Sequence, residues 1–428
     1  VLIAETYLER SLMAKIIALK DTITGKTFQP DEVEYFNPEI GQVATLDILY
    51  DYEALRQTLD REALKTNCET TLWRYRDLLP IEPETIVPAL AVGWTALYQT
   101  PRLAKDLGLR ETWVKDDGAN PTGSLKDRAS TLVVAHALEK GIEVVSTAST
   151  GNAAAALAGV GASVNHAPMK IIIFVPATAP EAKIAQLLVY GATVILVEDT
   201  YDTAFDLCYA MCLSENWYCR NTGINPYTSE GKKTVAYEIA EQLNWNVPDT
   251  VVVSVGDGSI IGGVHKGFYD LLQLGWIERI PRLIGVQAEG SSPLVNAWEN
   301  NMNAADMQPI ETNTIADSIS AGLPRDRVKA MRAIKQSGGA FVAVSDAEII
   351  RAIPSFARLT GVFAEPSTAA IYAGAKRAIE KGYLSKDDRV VFISTGNGLK
   401  DVKRAQESVS GGLRVKPTLE AVHEALNL

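Results

Sequence analysis

Cysteine is scarce in this 428-residue chain: Cys68, Cys208, Cys212 and Cys219, unevenly spaced. Four are too few for a disulfide framework at this length, and a reducing, cytoplasmic setting is expected. Cys208 and Cys212 would share a helix face, but no histidine or acid stands at a zinc-like spacing, so they read as buried small hydrophobes and no metal site is expected. Long apolar runs are also missing. The longest candidates, such as Val251 to Val255, are strand-sized, far below the roughly 18 residues of a membrane helix, so no membrane partner is expected. The start carries Glu5 and Glu9 without the charged and apolar regions of a secretion signal, and Met13 offers an alternative initiator. Basic charge is in deficit, 41 Lys and Arg against 52 Asp and Glu, a net charge of −11, which argues against a nucleic-acid surface.

What is present is apolar content: 47% hydrophobic residues, enough for large buried cores over two to three domain equivalents at roughly 150 residues each. Residues 16–50 read as a small β-rich leader with turns at Gly25 and Gly41. Helical patterns follow over Glu53 to Lys65 and Trp73 to Leu79, and Pro80, Pro83 and Pro88 then extend the chain before a main body near Gly93. From Trp113 onward β-branched runs alternate with helical segments. The runs are Val144–Thr147, Lys170–Val175, Thr193–Val197, Thr250–Val255, Arg282–Gln287 and Val390–Ser394. The helical stretches include Asp127–Glu139, Ala153–Val160, Glu181–Tyr190, Tyr201–Glu215 and Thr234–Leu243, and the tail Pro417–Leu428 reads as an amphipathic helix closing the fold. Strands separated by helices imply parallel sheets covered on both faces, an α/β protein with two doubly wound, mostly parallel sheets. Ligands in such folds lie beyond the carboxyl ends of the strands, so the loops there carry the search.

Four loop segments stand out: Asn120–Arg128 (NPTGSLKDR), Ser149–Asn152 (STGN), Gly256–Gly263 (GDGSIIGG) and Ser394–Asp401 (STGNGLKD). Gly256–Gly263 separates a strand from a helix and can act as an anion nest through its amides and the helix dipole. A dinucleotide fingerprint is the weaker reading, because the glycine spacing is off and no acid ends a partner strand at the required distance; tight strand-to-helix packing is a third. Lys126 opens a helix, where an ammonium is disfavoured, and a lysine with more free amine suits imine formation with an aldehyde; the alternative is a solvated surface lysine. Lys400 is a rival, in the same Leu-Lys-Asp triplet but six residues past its strand and expected beyond the pocket floor. Asn152 and Thr395, in the twin STGN segments, can hydrogen-bond the edge of a ligand ring or serve as ordinary helix caps.

Together these pieces resemble the fold-type II family of pyridoxal-phosphate enzymes (tryptophan synthase beta-like), and its threonine synthase branch most of all, over roughly Val92 to Lys403. The most specific element is Asn120-Pro121-Thr122-Gly123-Ser124-Leu125-Lys126-Asp127-Arg128, which is similar to that family's cofactor-lysine motif nearly letter for letter. Ala288-Glu289-Gly290, Asp317-Ser318-Ile319 and Ala364-Glu365-Pro366 look like the same branch. The resemblance implies that Lys126 holds pyridoxal phosphate as an imine, that Asn152 bonds its 3-hydroxyl, that Gly256, Asp257, Gly258, Ser259 and Ile260 hold its phosphate, and that Thr395 faces its pyridine nitrogen. A hydroxyl there leaves the nitrogen largely neutral, a milder electron sink suited to elimination and replacement.

The activity implied is conversion of O-phospho-L-homoserine and water into L-threonine and phosphate by a cytoplasmic homodimer. Alternatives are a serine or threonine dehydratase or a β-replacement synthase, and, from a different class, a nicotinamide-dependent dehydrogenase on the Gly256 loop. The resemblance divides the chain into a leader, 1–92, a large cofactor domain, 93–140 with 225–428, and a small mobile domain, 141–224. Two departures stand out. The leader keeps Tyr50-Asp51-Tyr52 but lacks the cysteines of a zinc ribbon, so a ribbon-like leader without metal is expected. In Arg220–Thr234 the serine near Gly223 and the arginine near Thr228 that grip substrate phosphate in several relatives are missing, so the grip is expected from Ser149, Thr150, Lys232, Lys233 or Arg325.

Overall fold

Every residue of the strand Thr250–Ser254 is buried, which a strand achieves only with layers on both of its faces. In the computed structural model, which describes residues 16–428, this strand lies inside a six-stranded sheet. Glu5, Glu9 and Met13 lie outside the described residues.

In chain order the strands are β1 (Ile16–Asp21), β2 (Thr27–Phe28), β3 (Leu46–Tyr50), β4 (Leu97–Gln99), β5 (Glu111–Asp116), β6 (Val144–Ala148), β7 (Lys170–Pro176), β8 (Thr193–Val197), β9 (Tyr218–Cys219), β10 (Thr250–Ser254), β11 (Arg282–Ala288), β12 (Ala340–Val344) and β13 (Arg389–Ser394). The large sheet runs β12-β11-β10-β13-β5-β4, parallel except for β4 against β5. A second sheet, β8-β7-β6-β9, is parallel throughout. The expected α/β class and its two doubly wound sheets are therefore present. Strands β5, β9 and β12 escaped the sequence reading, as did the three-residue β4. The first two abut charged or turn residues, and β12 is a five-residue run between helices.

The leader is the three-stranded antiparallel sheet β2-β1-β3, with Gly25 and Gly41 in the left-handed region at φ 76° and 95°. Its Tyr50-Asp51-Tyr52 segment docks it on the body. Tyr50 Oη donates to Glu230 Oε2 at 2.6 Å, Tyr52 Oη donates to Asp270 Oδ1, and Asp51 caps the helix Tyr52–Thr58. The continuous helix expected over Glu53–Lys65 is instead this short helix followed by a 3₁₀ segment, Arg61–Thr66.

Helices Lys126–Glu139, Tyr227–Gln242 and Ser259–Gln273 pack side by side. Small residues permit the approach: a Cβ on Gly231 would lie 2.2 Å from the Arg128 carbonyl oxygen, and one on Gly267 2.4 Å from that of Lys233. The middle helix begins two turns before the expected Thr234, since Pro226 already has helical backbone angles and Asn225 Oδ1 accepts from the Tyr227 amide. The tail forms its helix, Leu419–Leu426, but no residue of it is buried and Leu419 is 75% exposed, so it does not close the fold. Cys208 and Cys212 are buried, while Cys68 is exposed.

Candidate active site

The carboxyl ends of β5, β10 and β13 lie side by side, so the loops that follow them meet. The Leu125 amide donates to Thr395 O at 3.0 Å and the Asn397 amide to Gly123 O at 2.9 Å. Two of the sequence motifs are thereby tied together, with Lys126 at the junction. The cavity between the two sheets measures about 660 Å³. Lys126, Ser149, Thr150, Asn152, Lys232 and Arg325 line it, together with all five residues of Gly256–Ile260.

Lys126 is the first residue of its helix. Burial holds its pKa below the ordinary lysine value, the nearby Glu365 opposes this, Arg220 adds to it, and Asp257 opposes it. Desolvation is thus the chief influence that disfavours the ammonium form. Glu365 was known from the sequence only as part of a shared segment, and it is central. Its carboxylate is 3% exposed, accepts from Asn152 Nδ2 at 2.9 Å, Ser318 Oγ at 3.2 Å and Ser367 Oγ at 2.5 Å, and has no ion-pair partner among the described residues. The legible signal was Glu-Pro: a residue before a helix-opening proline whose side chain is free to turn inward.

The glycine loop is built for an anion. Gly258 sits at φ 89° and opens the helix Ser259–Gln273, whose first amides have no carbonyl partner within the helix. A Cβ on Gly256 would come within 2.9 Å of Ile319 Cα, so only glycine keeps the cradle open. Lys232, expected on the substrate's side, instead donates to Ser259 Oγ at 2.6 Å in this loop. It is 1% exposed and has no carboxylate within ion-pair distance among the described residues, and burial, together with the charge of Arg220, depresses its pKa to about 7. A buried cation in that state calls for an anion beside it.

Lys233, one residue on, points to the opposite side and pairs with Glu230 at 2.5 Å and Asp270 at 2.8 Å, so it supplies no phosphate grip. Thr395 does not line the cavity. Its hydroxyl lies 3.4 Å from Ser254 Oγ, which does, and its amide donates to Thr368 Oγ1. Ser254 was missed because it is the last residue of an otherwise apolar strand. Lys400, expected beyond the floor, lines a smaller adjoining cavity of about 150 Å³ with Nζ 3.4 Å from Gln186 Oε1. Ser149 Oγ accepts from the Gly151 amide at 3.1 Å, and the Arg325 guanidinium lies 4.5 Å over the Phe205 ring.

Residues 89–396 match the family described as pyridoxal-phosphate dependent enzyme. The chain is 40% identical to a threonine synthase of Methanocaldococcus jannaschii over 404 residues, 94% of this chain and 97% of that one. The chain belongs to the threonine synthase family. The threonine synthase of Methanosarcina acetivorans is 38% identical over 95% of this chain and 98% of its own, and that of Mycobacterium tuberculosis (strain H37Rv) 35% over 83% and 95%. Among solved structures, the processed form of threonine deaminase isoform 2 from Solanum lycopersicum superposes with a TM-score of 0.62 at 22% identity, covering 74% of this chain and 83% of that one. Maize serine racemase gives 0.59 at 22% identity, over 71% and 88%. These two likenesses speak for the shared fold-type II architecture.

The protein is thus a pyridoxal-phosphate-dependent enzyme, a lyase, and the dehydrogenase reading of the Gly256 loop is overturned by family membership. The residues present fit the cofactor: an amine whose charge burial disfavours, suited to an aldehyde, and an anion cradle backed by a buried lysine without an ion-pair partner among the described residues. Among the described residues no helix is long and apolar enough to cross a membrane.

Proposed function

We propose that this enzyme converts O-phospho-L-homoserine and water into L-threonine and phosphate. The observation that carries this reading is identity to threonine synthases over nearly the whole length of both chains. When bound, pyridoxal phosphate supplies an electron sink for negative charge developed beside the substrate's nitrogen. The chain's own groups supply the rest. Lys126 Nζ, its charge disfavoured by burial, holds the cofactor and then takes the proton from the substrate's Cα. Loss of a second proton, from Cβ, expels the γ-phosphate; a proton then goes to Cγ to make the methyl group, water gives its hydroxyl to Cβ, and Cα regains a proton as threonine is released.

In the same reading the amides of Gly256, Asp257, Gly258, Ser259 and Ile260, with Lys232 behind Ser259, hold the cofactor's phosphate. Asn152 bonds the ring hydroxyl while Glu365 fixes its amide. Thr395 is assigned to the ring nitrogen and shares its hydrogen-bonding network with Ser254. Ser149, Thr150 and Arg325 serve the substrate. The segment 141–224, which carries the second sheet, is the domain that moves over it. Homodimeric and cytoplasmic states belong to the same proposal, the first open to sedimentation.

Incubation with O-phospho-L-homoserine should release inorganic phosphate and L-threonine in equal amounts, with no ammonia from L-serine. Ammonia from L-serine without phosphate from O-phospho-L-homoserine would replace this reading with a dehydratase.

A further inference from the structure

Two arginines are wholly buried, and their surroundings differ in kind. Arg128 is held by two carboxylates: Nε donates to Asp117 Oδ2 at 2.6 Å, and Nη2 donates to Asp117 Oδ1 and Glu238 Oε2, each at 2.8 Å. Arg220, just after β9, is 0% exposed and has no carboxylate within ion-pair distance among the described residues. Its donors meet only hydroxyls: Nε reaches Ser130 Oγ at 3.2 Å and Nη1 reaches Thr222 Oγ1 at 3.0 Å, while Nη2 has no partner. Burial pushes its pKa down to about 10. A guanidinium in such a place is costly unless an anion joins it.

Thr222 shows where that anion sits. It lines the cavity, and because its oxygen already accepts from Arg220, its own O–H is free to donate outward. Beside it, Gly223 is in the left-handed region at φ 73°, and a Cβ there would fall 2.2 Å from Arg325 Cβ, so Arg325, another lining residue, packs directly on this turn. The pair repeats the arrangement of Lys232 behind Ser259. The cavity therefore has two hydroxyls, each backed by a buried cation lacking a carboxylate. One opens the helix that follows β10 of the large sheet, the other follows β9 of the second sheet. One enzyme-bound phosphate does not account for two such places.

We propose that Arg220, acting through Thr222 and flanked by Arg325, is a positioning residue of a second phosphate site, which takes the phosphate of the substrate. This rests on the function proposed above. The cation fixes the acceptor side of Thr222 and supplies positive potential at the turn, and the hydroxyl proton and Arg325 make the contacts.

The test uses the cofactor-loaded enzyme with Arg220→Gln, Thr222→Val and Thr222→Ser. Loss of one charge-assisted contact should raise KM for O-phospho-L-homoserine about 30-fold in Arg220→Gln, with kcat changed by less than about threefold. The inhibition constant of inorganic phosphate should rise in parallel. Spectral titration with L-threonine, which has no phosphate, should be unaltered, as should cofactor retention. Thr222→Val should move KM in the same direction and Thr222→Ser should restore it. Unchanged KM and phosphate inhibition in Arg220→Gln and Thr222→Val would overturn the assignment, as would cofactor loss at constant KM, which would give Arg220 to the cofactor's phosphate. If Arg220→Gln fails to fold, the Thr222 pair decides. If the unaltered enzyme releases no phosphate from O-phospho-L-homoserine, the functional reading fails, and binding of inorganic phosphate to the variants still tests the site.

Discussion

At the level of single residues, two lysines in matching triplets compete for one role, and their surroundings separate them. Lys126 lines the main cavity, whereas Lys400 lines the smaller one and packs its Cε against Gly123, 3.0 Å from where a Cβ would stand. Lys126→Ala should abolish the visible absorbance of the bound cofactor and lower turnover by roughly 10³-fold or more, while Lys400→Ala keeps the absorbance; spectra before and after borohydride check both. The Glu365 carboxylate favours the protonated form of Lys126. Glu365→Gln should therefore shift the pH profile of cofactor loading into the apoprotein to lower pH, and an unchanged or raised profile would show that the two groups are not coupled. Both lysines stood out in the sequence, but Glu365 and Arg220 did not. A lone acid or arginine carries no sign of its own burial, and burial without a direct ion pair among the described residues is what distinguishes them.

Among elements, the position of the cofactor lysine depends on how its helix is anchored. Arg128, two residues after Lys126, shares Glu238 with Lys115, which meets that carboxylate at 2.6 Å; all three side chains are 0% exposed. The ion group thus ties β5 and the helices Lys126–Glu139 and Tyr227–Gln242 together. Glu238→Ala leaves two buried cations short of a partner and should cost roughly 3–5 kcal/mol. Thermal or urea unfolding of the cofactor-free protein measures this, and a loss under about 1 kcal/mol would mean that water or relaxation satisfies the cations. By contrast, Lys183–Asp317 at 2.5 Å and Arg325–Asp202 at 3.5 Å, which link residues of 141–224 to the large-sheet side of the cavity, involve well-exposed acids, 60% and 81%. Such solvent-exposed pairs contribute little to stability.

For the whole molecule, pH acts through buried histidine. His265, 5% exposed on the helix Ser259–Gln273, has its pKa lowered to about 4 by burial and then by Arg332. A folded-state pKa below the ordinary 6.5 means that the unfolded chain takes up a proton which the folded chain refuses. The associated stability is fully present above pH 6.5 and is lost as pH falls towards 4. At pH 5 the loss from this group is roughly 2 kcal/mol. The pH 7 to pH 5 drop in unfolding free energy should shrink by about that amount in His265→Gln, and an identical drop would show that His265 is not the source.

The alternation of β-branched runs and amphipathic stretches determined the α/β class, the two sheets and most of the helices, because periodic burial is written locally. Four loops at strand ends determined where to look, because glycine, small hydroxyls and a lysine at a helix start are each demanded by local geometry. Only the tertiary structure decided which charges are paired. Adjacent Lys232 and Lys233 look alike in the sequence, yet one faces the glycine loop without a carboxylate and the other sits between Glu230 and Asp270. The same holds for Arg128 and Arg220. Pairing depends on groups far away in the sequence, 110 residues between Arg128 and Glu238 and 285 between Arg332 and Asp47, and no local pattern encodes such distances.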